Sequence, residues 1–84
     1  MKSNYIELKI IRADKKEVFH VEWIDIQSPA GSFIVGMNHV PLISRLKEQG
    51  KISFKKDNGK TDQIDFQGGF FKVEDNKAEL ILEI

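Results

Sequence analysis

No cysteine occurs in this 84-residue chain, which excludes a disulfide framework and a thiolate metal site. That absence fits a reducing compartment. Long apolar runs are missing too. Met1 leads through Lys2-Ser3-Asn4 into an alternating segment, so neither a signal peptide nor a membrane-spanning helix is expected. Charge of one sign is also lacking. Thirteen Lys and Arg residues stand against thirteen Asp and Glu. This balance argues against a general binder of nucleic acid or of an anionic membrane, which normally carries a basic excess. What is present is a globular composition, 40% hydrophobic and 31% charged, in one expected domain over residues 1–84. A chain this small buries a modest core, so oligomerisation or docking on a partner suits it.

The charges balance in total but not along the chain. Arg45, Lys47, Lys51, Lys55, Lys56 and Lys60 fall together, with only Glu48 and Asp57 among them. Asp62, Asp65, Glu74, Asp75, Glu79 and Glu83 follow, against Lys72 and Lys77. An acidic segment directly after a basic one predicts neighbouring strands whose opposite charges pair across a sheet.

Period-two alternation dominates the rest. Ile6, Leu8 and Ile10 alternate with Glu7 and Lys9, and Phe19, Val21 and Trp23 with His20 and Glu22. Ile24 and Ile26 then continue on the opposite parity. That phase change predicts a bulge or a strand buried on both faces. Ile52 and Phe54, then Ile64 and Phe66, then Ala78, Leu80, Leu82 and Ile84 complete the set. Turn chemistry separates these runs at Ala13-Asp14-Lys15-Lys16, Ser28-Pro29-Ala30-Gly31, Asp57-Asn58-Gly59 and Glu74-Asp75-Asn76-Lys77. At Asn58-Gly59 a two-residue loop would set Phe54 against Gln63. A five-residue loop over 57–61 instead sets Phe54 opposite Ile64, Ile52 opposite Phe66 and Lys56 opposite Asp62, and this is the predicted register. Only the run from Pro41 through Glu48 has helical spacing; it reads equally as a strand. The expectation is an all-β fold, a sandwich or barrel with at most one short helical turn.

Chemistry is hard to find. His20 alternates with Phe19 and Val21 and is expected to face solvent or an interface. His39 lies in Met37-Asn38-His39-Val40-Pro41 with no nucleophile or carboxylate placed by a motif, so a structural role bonding loop backbone is favoured over catalysis. Two distant histidines and scattered carboxylates do not make a metal site. Gly68-Gly69 lacks the following lysine and hydroxyl residue of a phosphate-binding loop, and reads as a place where strands approach closely. The phenylalanines fall mostly on apolar parity and read as core rather than as base-stacking platforms. No cofactor is expected.

Two runs carry a resemblance. Gly31-Ser32-Phe33-Ile34-Val35-Gly36-Met37-Asn38-His39-Val40-Pro41-Leu42, followed by Leu46-Lys47-Glu48-Gln49-Gly50, is similar to the Gly-Glu-Phe-Gly-Val-Leu-Pro-Gly-His-Ala-Pro-Leu motif of the epsilon subunit of F-type ATP synthases. Gln67-Gly68-Gly69-Phe70-Phe71-Lys72-Val73-Glu74-Asp75-Asn76-Lys77-Ala78 resembles that family's Ser-Gly-Gly-Phe-x-x-Val-x-x-Asn-x-Val. Leu8-Lys9-Ile10-Ile11-Arg12-Ala13-Asp14 with Glu17-Val18-Phe19 looks like its opening strand and turn. The resemblance spans nearly the whole chain in order. It implies the family's N-terminal domain, a small antiparallel β-sandwich of two packed sheets.

By the same resemblance the chain is expected to be a non-catalytic rotor subunit of a proton-translocating complex. It would link the gamma subunit to the c-ring and lie peripherally at the cytoplasmic face of the inner (plasma) membrane without inserting. Gly31, Ser32, Phe33, Asn38 and His39 are the implied ring-facing residues. Ser32 replaces the motif's glutamate, so contact there is expected to depend less on charge and salt. The sequence stops at Ile84, without the C-terminal helical hairpin of many family members, so hairpin-based inhibition and its nucleotide site are not expected. The rival readings are a β-sandwich module for peptide or carbohydrate, which requires a groove lined by exposed aromatics, and a small enzyme, which requires clustered ionisable groups. A nucleic-acid-binding barrel is weakened by the neutral charge.

Overall fold

The alternating runs become eight strands in a computed structural model that describes residues 4–28 and 31–83. They are β1 (Ile6–Ile11), β2 (Lys16–Ser28), β3 (Gly31–Val35), β4 (Leu42–Leu46), β5 (Gly50–Lys56), β6 (Thr61–Phe66), β7 (Gly68–Glu74) and β8 (Lys77–Glu83). There is no helix among the described residues. Pro29 and Ala30, the middle of the predicted turn before β3, and Ile84, the end of the predicted last strand, lie outside them.

Hydrogen bonding connects the strands in the order β4-β7-β8-β1-β2-β5-β6, with β3 also on β2. β2 makes the corner. Its first half pairs with β1, and its second half pairs with both β3 and β5. The register slips between Val21 and Trp23, where the parity change at Trp23-Ile24 calls for a bulge. The bulge lets one long strand serve two layers. One layer is β4-β7-β8-β1 with the start of β2, and the other is β3, the end of β2, β5 and β6. Between them lies one core that includes Ile6, Leu8, Ile10, Ile24, Phe54, Phe66, Phe71 and Leu80, all at most 1% exposed. Phe33 of β3 meets Phe71 of β7 across the layers, with ring centroids 5.9 Å apart.

The pairings are antiparallel except one. β1 and β8 run parallel, with Leu8 beside Ala78 and Ile10 beside Leu80. Alternation determines which face of a strand is buried but carries no direction, so this pairing has no sequence signal. The ambiguous segment after Pro41 is a strand. Leu46 is buried, Leu42 and Ser44 are partly covered, and Ile43 and Arg45 are exposed, the period of two that pairing with β7 imposes.

The β5–β6 register differs from the prediction by two residues. Ile52 lies opposite Ile64, Phe54 opposite Asp62 and Gly50 opposite Phe66. The loop has three residues, not five. Lys56 N donates to Lys60 O at 2.8 Å, and Gly59 N donates back to Lys56 O at 2.9 Å. Gly59 adopts φ 88, a left-handed residue closing a three-residue hairpin. Asn58 Oδ1 accepts from Lys60 N at 2.9 Å and fixes the tip. A shift of two preserves the inward face, so hydrophobic parity could not distinguish the registers. The expected charge pairing still forms, on the diagonal: Lys56 Nζ lies 2.9 Å from Asp62 Oδ2. Across the bulge Lys55 also reaches Glu22 at 3.7 Å.

The β7–β8 connection is a two-residue turn in which Asp75 (φ 52) and Asn76 (φ 59) are both left-handed, and Glu74 faces Lys77. At the other end of β7, Gly69 has φ 147, and a Cβ there would collide with the Ile81 carbonyl oxygen. The close strand approach expected at Gly68-Gly69 is therefore between β7 and β8.

Candidate partner interface

Residues 31–42 thread from β2 to β4 along one side of the sandwich. Gly31 begins β3 with φ 142, opposite Ser28, whose Oγ donates to Gly31 O at 3.2 Å. Ser32 is exposed and faces Gln27 across the pair. Phe33 is partly buried against Phe71 and anchors the strand. Asn38 and His39 come after β3, which carries the chain about 14 Å from its first residue to its last. The five candidate residues therefore fall into two groups. Gly31 and Ser32 lie near the segment from Ser44 to Glu48, whereas Asn38, followed by His39, lies against the β7–β8 turn.

The second group is held by a specific device. Asn38 N donates to Asn76 Oδ1 at 2.6 Å, and Asn76 Nδ2 donates to Asn38 Oδ1 at 3.1 Å. Asn38 has φ 60 and occupies the place of the motif's glycine. Asparagine is among the few residues other than glycine that tolerate this backbone region, and here its amide gains a second bond that glycine cannot make. His39 Nδ1 lies 2.8 Å from Val40 O, a loop-backbone contact of the structural kind expected. Asn76 was legible in the sequence only as a turn residue. Its contact with Asn38, 38 positions away, has no local signal.

His20 is exposed on β2, on the parity facing outward, and its carbonyl accepts from Asp57 N at 2.9 Å. Tyr5, His20, Met37, Asn38 and Asn76 border a shallow groove at this end of the molecule. No group of three or more His, Cys, Asp or Glu among the described residues has metal-binding geometry. No helix among them is long and apolar enough to cross a membrane.

Comparison with known proteins follows the same lines. A family model described as "ATP synthase, Delta/Epsilon chain, beta-sandwich domain" matches residues 5–83. An ATP synthase epsilon chain of Nitratidesulfovibrio vulgaris is 33% identical over 79 residues, covering 93% of this chain and 58% of that protein. The ATP synthase epsilon chain of Chlorobaculum tepidum is 40% identical over 53 residues, covering 63% of this chain and 59% of its own length. The chain thus spans a little over half the length of these curated relatives. Among solved structures, a chain of the Euglena gracilis mitochondrial ATP synthase (OSCP/F1/c-ring in rotational state 1) superposes with a TM-score of 0.82 at 23% identity, covering 98% of this chain and 52% of that one. A chain of the Tetrahymena thermophila mitochondrial ATP synthase central stalk/c-ring gives 0.78 at 14% identity, covering 100% and 67%. At those identities the superpositions speak for the fold, and the family model speaks for descent: this chain belongs to the ATP synthase delta/epsilon family and carries its β-sandwich domain.

Proposed function

We propose that the chain acts as a non-catalytic central-stalk subunit of a proton-translocating F-type ATP synthase. It joins the gamma subunit to the c-ring, peripherally at the cytoplasmic face of the inner (plasma) membrane, and helps couple ion flow to ATP synthesis at a catalytic head elsewhere. The observation that carries this reading is the match of residues 5–83 to the family's sandwich domain. The likeness to a chain of a central stalk/c-ring structure supports it. The role is mechanical. A two-layer sandwich with a continuous core transmits torque as a rigid body between two interfaces, and no bond chemistry is asked of it.

Gly31, Ser32, Phe33, Asn38 and His39 are proposed for the ring-facing surface. Their division along β3 makes this surface two patches, with Phe33 supporting the first from inside. A carbohydrate or peptide module is disfavoured. Among the described aromatic residues only Phe70 is strongly exposed, and it lies away from the groove at Asn38. The test is reconstitution. The chain, mixed with purified gamma subunit and c-ring, is expected to co-elute with both. A chain that stays monomeric beside them overturns the reading.

A further inference from the structure

An asparagine followed by glycine is chemically labile, because no side chain on the glycine hinders attack of its amide nitrogen on the asparagine carboxamide. Of Asn4, Asn38, Asn58 and Asn76, only Asn58 precedes glycine; Tyr5, His39 and Lys77 follow the others. Asn38 and Asn76 are also tied to each other by two hydrogen bonds. Asn58 is exposed at the tip of the β5–β6 hairpin, as are Asp57, Gly59 and Lys60 around it. A Cβ built on Gly59 meets nothing within 4 Å, so a ring closing on its nitrogen has room.

The reaction open to this pair needs only water and hydroxide. Gly59 N loses its proton to hydroxide and attacks Asn58 Cγ. A C–N bond forms and closes a cyclic imide. The Cγ–Nδ2 bond breaks, and ammonia leaves with a proton from water. A water molecule then adds to one of the imide carbonyls. Opening at Cγ leaves aspartate. Opening at the main-chain carbonyl leaves isoaspartate, whose backbone runs through Cβ. Overall one water is consumed and one ammonia released, with nothing oxidised or reduced.

In the folded hairpin both reacting groups are tied. Gly59 N donates to Lys56 O at 2.9 Å, and Asn58 Oδ1 accepts from Lys60 N at 2.9 Å. We propose that Asn58 is a self-modifying site gated by its own hairpin, converting to aspartate and isoaspartate when the tip opens and these two bonds part. Each bond holds the tip closed by about a factor of five, so the fold slows the reaction about 25-fold relative to the unfolded chain. The two products differ in consequence. Aspartate keeps an oxygen acceptor for Lys60 N and preserves the tip. Isoaspartate adds a methylene to a loop closed by Lys56 N on Lys60 O at 2.8 Å and by Gly59 N on Lys56 O, and both bonds cannot survive. The loosening reaches β2, because Asp57 N donates to His20 O at 2.9 Å. This holds whether or not the chain serves in a rotor.

The test incubates the full chain at mildly alkaline pH, folded and in denaturing urea. Acidic species are separated by anion exchange and located by peptide mass spectrometry. Asn58 is expected to change first, and about 25-fold more slowly in the folded chain. Hydrogen exchange of the Gly59 amide in the folded chain should show a protection that matches this slowing, because one opening admits both reactions. The isoaspartate fraction is expected to melt below the unmodified chain, whereas Asn58→Asp melts with it. Asn58→Gln is expected to yield no acidic species at the hairpin tip over the same period. Reaction first at Asn4, Asn38 or Asn76, equal rates in the folded and unfolded chains, or slowing unrelated to the Gly59 protection overturns the proposal. So does an isoaspartate fraction that melts with the unmodified chain, since the loop would then have kept both bonds.

Discussion

Asn38 and Asn76 grip each other from two different loops, each with a positive φ, through a backbone amide bond of 2.6 Å and a side-chain amide bond of 3.1 Å. The grip joins the β3–β4 connection to the β7–β8 turn. It also separates two contributions that a single substitution would confuse. Asn76→Gly keeps the left-handed turn and removes only the side-chain bonds, and is expected to cost about 1 kcal/mol. Asn76→Ala adds the strain of an alanine at φ 59, about 1–2 kcal/mol more. Urea unfolding measures both. Exchange of the Asn38 amide should accelerate in both variants, and an amide as well protected as in the wild type would refute the bond's role.

Gly69 and Gly59 are both left-handed but differ in surroundings. A Cβ at Gly69 meets the Ile81 carbonyl, whereas a Cβ at Gly59 meets nothing within 4 Å. Gly59→Ala is therefore expected to cost about 1 kcal/mol from backbone strain alone. Gly69→Ala must also push β7 from β8 and is expected to exceed that several-fold or to prevent folding. Equal melting temperatures for the two variants would contradict this ranking.

The phenylalanines divide by face. Phe54 is fully buried and touches Phe19 with ring centroids 5.1 Å apart, while Phe70 faces out. Phe54→Ala is expected to destabilise by about 3–5 kcal/mol, from lost transfer energy and the cavity left behind. Phe70→Ala should stay within about 0.5 kcal/mol. Thermal unfolding of the two variants provides the comparison.

Ser32 stands where the family motif has glutamate. If the ring-facing proposal is right, Ser32→Glu adds a charge at the contact without touching the core. The measurable consequence is a steeper salt dependence of c-ring binding in the variant than in the wild type. Parallel salt curves would remove Ser32 from the interface.

The Lys56–Asp62 pair is partly solvated, with the carboxylate side chain 46% exposed. Asp62→Asn is expected to cost less than about 1 kcal/mol, and raised salt should shrink even that difference.

The sequence by itself determined five strands, β1, β2, β5, β6 and β8, with their inward faces and most turns, because each is written in local chemistry. Alternation in Ile6-Glu7-Leu8-Lys9-Ile10 dictates a buried face without reference to any partner strand. The parity break at Trp23-Ile24 left a bulge or a doubly buried strand, between which the register shift decides, and Asp75-Asn76 announces its turn. The motif around Gly31 and His39 carried the family. Tertiary structure decided whatever depends on which strands become neighbours. The parallel pairing of β1 with β8, the three-residue loop at Asn58, the division of the candidate residues along β3 and the Asn38–Asn76 grip are of this kind. Period-two patterning specifies a face but neither a neighbour nor a register shift of two, so these relationships had no sequence signal and appear only once the sheet is assembled.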